Sequence, residues 1–103
     1  MHSHLAFFWL NDNLSTTEIL EFEKGLGSLI IIPVVVSGFY GKPADTHRSV
    51  VENSYTYGLS LLFKEINDQI SYQNHEIHEE FVKRHSSKWS KVQVFDIEYN
   101  MHL

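Results

Sequence analysis

The chain has no cysteine, only two prolines and five glycines, and no apolar run long enough to cross a bilayer. The missing thiols exclude disulfides, thiolate metal sites and a cysteine nucleophile, and they fit a reducing compartment. Basic residues are also scarce: eight Lys and Arg stand against 13 Asp and Glu, a formal net charge of −5. A phosphate backbone is gripped by a basic stripe, whereas the closest basic cluster here, Lys83 to Lys91, is diluted by Ser and by the neighbouring Glu80. Nucleic acid is therefore excluded as the main partner. "LAFFWL" is too short to span a membrane, and "LIIIPVVV" is short and broken by Pro33. With no basic leader followed by an apolar core and a cleavage site, the expectation is a soluble, cytoplasmic protein with no membrane partner.

What the sequence has in quantity is rings. Aromatic residues occupy 14% of the 103 positions, and that many need a core, a pocket or a partner surface to pack against. The length suits one domain, residues 1–103, with a modest core. No repeat, low-complexity segment or linker divides it. "HLAFFWL", His4 to Leu10, is too short for a helix and runs into the turn signal "NDN", so it reads as a first strand. Ser15-Thr-Thr-Glu18 is a capping box, and Ile19, Phe22, Leu26 and Leu29 recur behind it at helical spacing. Pro33 ends that run and opens "VVVSGFYG" as a second strand. Residues 41–53 are polar with Gly and Pro and form a loop. "SYTYGLSLLF" puts Tyr55, Tyr57, Leu59, Leu61 and Phe63 on one face of a third strand. From Lys64 to about Arg84 the pattern is helical again, interrupted near Asn74. "SKWSK" suggests a further short helical turn, and "VQVFDIEY", Val92 to Tyr99, is a fourth strand.

The order βαββαβ predicts an α+β, ferredoxin-like architecture: a four-stranded antiparallel sheet with helices on one face. The strands do not alternate cleanly between apolar and polar. Leu5, Phe7 and Trp9 lie on one side of the first strand, with Ala6, Phe8 and Leu10 on the other. The last strand opposes Val92 and Val94 to Phe95 and Ile97. A sheet apolar on both faces needs cover on both, and the sequence holds no further helices to supply it. A second copy of the same sheet would, so a homodimer packed sheet to sheet is expected.

"YQNHEIHEEF", residues 72–81, concentrates the chemistry-bearing side chains. Two imidazoles three apart on a helix can share an ion, but the zinc-protease spacing is four around a Glu. A third ligand would have to come from His4 or His85, and no metal is expected at the pair. His75 fits a solvated face with Glu76, Glu79 and Glu80. His78 precedes Phe81 by three and Val82 by four, and shares their inward side. An inward imidazole left without a hydrogen-bond partner costs about 1–3 kcal/mol. Tyr72 is a candidate partner, yet on an unbroken helix six residues at about 100° each leave the two side chains roughly 120° apart. The pair requires a bend near Asn74. His4 and Tyr57 each sit amid apolar strand neighbours, as satisfied core residues or as the polar end of a pocket.

In order and nearly end to end, "HLAFFWL" at 4–10, "SYTYGLSLLF" at 54–63, "YQNHEIHEEF" at 72–81 and "WSKVQVFDIE" at 89–98 resemble the stress-responsive dimeric α/β-barrel (Dabb) domain family. The resemblance implies two ferredoxin-like halves closing a barrel, in agreement with the dimer expected from the two-sided sheet. The family includes a plant polyketide cyclase that makes olivetolic acid by a cofactor-free aldol condensation. By this resemblance His78 corresponds to the general base and Tyr72 to the phenol that holds base and substrate. His4 matches a pocket histidine, while Leu59, Phe81 and Trp89 correspond to apolar pocket wall. Tyr57 stands where the cyclase has histidine, and "HEIH" replaces the usual "HPAH". No cofactor is implied. Some relatives hold a divalent ion through backbone carbonyls before the second strand, here about Leu29 to Val35. An imidazole with an ordinary pKa of about 6.5 can take a proton beside a carbonyl at neutral pH. Three functions fit: binding of a small apolar or carbonyl-bearing ligand, cofactor-independent lyase or cyclase chemistry at His78 and Tyr72, and a structural, stress-protective dimer with a filled interior.

Overall fold

The computed structural model describes residues 1–100, so the last three positions of the expected domain lie outside the described residues. The chain runs β1 (His2–Leu10), α1 (Thr16–Ile30), β2 (Ser37–Gly41), β3 (Tyr57–Phe63), α2 (Ile66–Asn74), α3 (Glu76–His85), a 3-10 turn (Ser86–Lys88) and β4 (Trp89–Glu98). The strands form one antiparallel sheet in the order β2-β3-β1-β4, the ferredoxin-like arrangement.

Local chemistry accounts for most element boundaries. The Ser15 hydroxyl accepts the Glu18 N–H at 3.1 Å and the Glu18 carboxylate accepts the Ser15 N–H at 2.9 Å, so the capping box starts α1 as the sequence suggests. β1 begins at His2 rather than His4, because its first residues find ladder partners on both sides: His2 faces Phe63 and Glu98. β2 begins only at Ser37. The preceding residues are used in tight turns, with Ile32 N–H donating to Leu29 O and Val35 N–H to Ile32 O. β3 begins at Tyr57, and the expected alternation stops there. Tyr55 crosses to the other face of the sheet, packing edge-on against Phe7 at 4.9 Å and Trp9 at 6.3 Å between ring centroids.

Pleating sorts the two faces. His2, His4, Ala6 and Phe8 of β1 point toward the helices, as do Tyr57, Leu59, Leu61 and Phe63 of β3, and all are buried. Phe22, Leu26 and Leu29 of α1, Tyr72 of α2 and Phe81 of α3 close over them to make the core. The opposite face carries Leu5, Phe7 and Trp9 with no layer above it; there Phe39 is 69% exposed and Phe95 51% exposed. The extents of 41 × 38 × 17 Å are those of a slab one sheet and one helix layer deep.

α1 and α3 meet at a point where there is no side chain. Lys88, buried, donates to the Glu18 carbonyl at 3.2 Å and to His85 Nδ1 at 3.1 Å, with the Glu21 carboxylate 3.7 Å away. An ammonium offers only donors, so Nδ1 of His85 is an acceptor and the ring proton sits on Nε2. The ring presses on Gly25: a Cβ there would lie 2.8 Å from His85 Nε2 and 3.0 Å from Phe81 Cδ1, whereas at Gly27 it would meet nothing within 4 Å. Both glycines lie within α1, and alanine raises helix propensity by about 1 kcal/mol at either. Urea denaturation should therefore separate them. Gly27→Ala is expected to stabilise by about 0.5–1 kcal/mol, and Gly25→Ala to destabilise by about 1–3 kcal/mol through overpacking. Equal effects would contradict the tight α1–α3 contact.

Candidate functional site

The bend that a Tyr72–His78 pair requires falls at His75. Its backbone is extended (φ −70°, ψ 143°), ending α2 and starting α3, and its ring caps the new helix by accepting the Ile77 N–H on Nδ1 at 3.1 Å. His75 is thus a helix cap and not merely a solvated side chain. Across the bend, the rings of Tyr72 and His78 meet edge-on with centroids 4.8 Å apart. His4 approaches Tyr72 from the sheet, at 6.0 Å and also edge-on.

Behind His4 lies a polar support. Its Nδ1 is 2.6 Å from Asp96 Oδ1, which makes Nδ1–H the donor and leaves Nε2 as the ring's acceptor when neutral. His2, also buried, bonds through Nε2 to the Gln69 side-chain carbonyl and lies 3.9 Å from the same Asp96 oxygen. Burial pushes the Tyr72 phenol well above its ordinary value, so it stays protonated and can donate. Burial, then the nearby His4, hold His78 below its ordinary value against the pull of Glu79. At neutral pH the cluster therefore offers an uncharged imidazole base beside a phenol donor. That pair can hold a carbonyl or hydroxyl oxygen and exchange a proton with it.

The remaining sequence candidates lie in the packed core. Tyr57 has its phenol raised to about 12 by burial and then by the Glu23 carboxylate of α1, toward which its hydroxyl is directed. Phe81 and Trp89 stack at 6.0 Å and pack with Phe8 and Phe22, while Leu59 is buried in the same core. No ring contact joins Phe81, Trp89 or Tyr57 to the His4–Tyr72–His78 cluster. Asp96, His2 and Gln69 were not singled out from sequence. Their signal was parity: His2 shares a face with His4, and Asp96 shares one with Val92 and Val94 in a strand that pairs with β1.

Two surface grooves flank these groups. One of about 390 Å³ is lined by His2, Asp96, Lys64, Glu65 and Glu98 among others, and one of about 870 Å³ lies between α1 and α3 over Gly25, Phe81 and His85. Neither is lined by Tyr72 or His78. Among the described residues no group of three His, Asp or Glu side chains could hold a metal. A hard divalent cation can take backbone oxygens, but the carbonyls of Leu29 and Ile32 already accept the amides of Ile32 and Val35, and residues 29–36 add no side-chain carboxylate. No chemical step runs through an ion there.

The antiparallel sheet order and its single helical layer define a ferredoxin-like α+β protein, here with a histidine–tyrosine–histidine cluster between the layers. The chain belongs to the stress-responsive A/B barrel domain (Dabb) family, whose model matches residues 3–99. Solved structures agree in fold. A crystal structure of an Arabidopsis thaliana protein is 23% identical, with a TM-score of 0.81 over 100% of this chain and 99% of that one. A hydroxynitrile lyase from Passiflora edulis is 20% identical, with a TM-score of 0.79 over 99% and 95%. A Thermobifida fusca protein described as dimeric, ferredoxin-like and of unknown function is 15% identical, with a TM-score of 0.77 over 95% and 90%. No curated protein sequence matches significantly. None of the described helices is long and apolar enough to cross a membrane.

Two histidines give the fold a pH dependence of known sign. His78 and His85 are both held below their ordinary value of 6.5, each chiefly by burial, His85 also by Lys88 and Arg84. The unfolded chain therefore binds more protons than the folded one between 6.5 and the lowered values. The stability these groups contribute is complete above that window and is lost as pH falls through it. Urea midpoints measured from about pH 7.5 down to about pH 5 should decline, and His85→Phe should flatten the decline. A flat profile for the native chain would refute the burial of both rings.

Proposed function

We propose that this chain is a single-domain homodimer, packed sheet to sheet, that binds a small apolar or carbonyl-bearing ligand between helices and sheet through Tyr72 and His78. The observation that carries the reading is the 4.8 Å edge contact between those two rings beside His4. It unites a protonated phenol with a neutral imidazole against an aromatic and aliphatic core, with the Asp96-bound His4 beside them. Such a setting favours a ligand that is mostly apolar and has one oxygen to hold. His78 is only partly buried, so an incoming group can reach it.

His78→Ala should weaken binding of aromatic aldehydes and ketones about two- to tenfold, the loss of one hydrogen bond to a neutral partner. Ligand-observed NMR against an aldehyde panel would measure it. His75→Asn is the control, because asparagine retains a side-chain oxygen for the Ile77 N–H. Equal losses in both variants would remove His78 from the site.

The dimer is supported by the uncovered apolar face of Leu5, Phe7, Trp9, Phe39, Phe95 and Ile97, and by the dimeric description of the Thermobifida fusca relative. Phe95→Glu should convert the dimer to a monomer in sedimentation velocity. A native chain that sediments as a monomer at micromolar concentration would sink this part of the reading.

A second reading, cofactor-independent lyase chemistry, is favoured by the neutral state of His78 and by the name of the Passiflora edulis relative. On a hydroxynitrile, His78 would take the hydroxyl proton while Tyr72 holds the oxygen. The carbon–carbon bond to the nitrile then breaks with its electron pair leaving on cyanide, and a carbonyl forms. His78 returns the proton to cyanide. Cyanide release from hydroxynitriles, abolished by His78→Ala, separates catalysis from binding alone. The tight packing of Phe8, Phe22, Phe81 and Trp89 favours a purely structural role at the far end of the core and leaves the polar end for the ligand.

A further inference from the structure

We propose that His2 is a positioning residue for this cluster, acting on His4 through the carboxylate that the two histidines share. The inference deepens the reading of His4, Tyr72 and His78 as a site, and names how the solvent side of the fold would control it.

The geometry is a branched contact. His2 and His4 lie two apart on the same face of β1, and Asp96 is the β4 residue directly opposite His4. One oxygen, Oδ1 of Asp96, is 2.6 Å from His4 Nδ1 and 3.9 Å from His2 Nε2. The His2 ring is fixed by Gln69 of α2, and both side chains are more than nine-tenths buried. Packing gives no reason for a polar pair here. The His2 ring lies 6.4 Å from Phe63 in a part of the core where two apolar side chains would avoid the cost of desolvation.

A single carboxylate cannot neutralise two imidazolium ions equally. Whichever ring is protonated first takes the benefit of Asp96, and the second must then accept its proton beside a cation. The two rings therefore compete for one carboxylate oxygen. His4 in turn bears on His78, whose affinity for a proton it lowers. The chain of influence runs from His2 through Asp96 to His4 and on to His78. Its outer end reaches solvent, since His2 and Asp96 line the groove of about 390 Å³. The other charged groups facing that end are Lys64 and Glu65 from the start of α2, Glu98 from β4 and the Met1 amino group.

The test is an imidazole titration by long-range nitrogen–proton NMR on the unliganded protein, so that it stands or falls independently of ligand binding. In the native chain the His4 ring should show two inflections, one at the midpoint of His2, separated by about one pH unit or more. Removing His2 alone would strand the Gln69 carbonyl, so the variant is His2→Phe combined with Gln69→Leu, which restores an apolar pair. In that variant His4 should titrate in a single step shifted upward by about one unit, and the His78 curve should move in the opposite direction, because a more readily charged His4 repels a second cation. Identical His4 curves in both proteins would overturn the proposal. If the double variant does not fold, the native titration decides alone: a single His4 inflection with no feature at the His2 midpoint overturns it. Ligand binding that fails while the coupled titration holds would reject the proposed function and leave this inference intact.

Discussion

A strand hydrogen-bonded along both edges can direct its side chains only to the two faces of its sheet, and β1 is that strand here. β3 and β4 flank it over nearly its whole length. Its even-numbered residues give the core Ala6 and Phe8 and give the candidate site His4 and its neighbour His2. Its odd-numbered residues, Leu5, Phe7 and Trp9, give the uncovered face. A slip of one residue would exchange these sets, placing the imidazoles in the open and the large apolar side chains under the helices. Core, cluster and uncovered surface are three readings of one register.

The second constraint is the bend at His75. A continuous helix from residue 66 to residue 85 would have kept Tyr72 and His78 on different faces. The extended cap residue reorients α3 so that the two rings meet, and the same reorientation carries Phe81 into contact with Phe8 and Phe22. Packing and chemistry thus draw on one local backbone choice. Burial raises the phenol and, against the pull of the neighbouring Glu79, lowers the imidazole, so the cluster reaches its donor-and-base state chiefly by desolvation.

Much of this was legible in the sequence because it is periodic or local. Ser15 and Glu18 announce the start of α1, and the mixed faces of β1 announce the two-sided sheet. Even the need for a bend between Tyr72 and His78 follows from helix geometry. What could not be read was which polar residues converge from distant segments. Asp96 is separated from His4 by almost the whole chain, and Gln69 looks like an ordinary surface residue of a polar helix. Tyr57 shows its inward strand position in the sequence, but not that the Glu23 carboxylate of α1 bears on its hydroxyl. The strand boundaries shifted where turns compete for backbone amides, as they do from Leu29 to Val35.

Gly25 ties two positions sixty residues apart into one choice. The missing side chain is what lets the His85 ring lie against α1, and that ring is what accepts the buried Lys88 ammonium. In the evolution of this fold the three sites are not free to drift separately. A lineage that gains even a methyl group at position 25 must shrink or re-aim position 85, and the lysine then loses an acceptor. Substitutions at these positions should therefore be inherited as a set, a pattern of covariation that an alignment of sister sequences would expose.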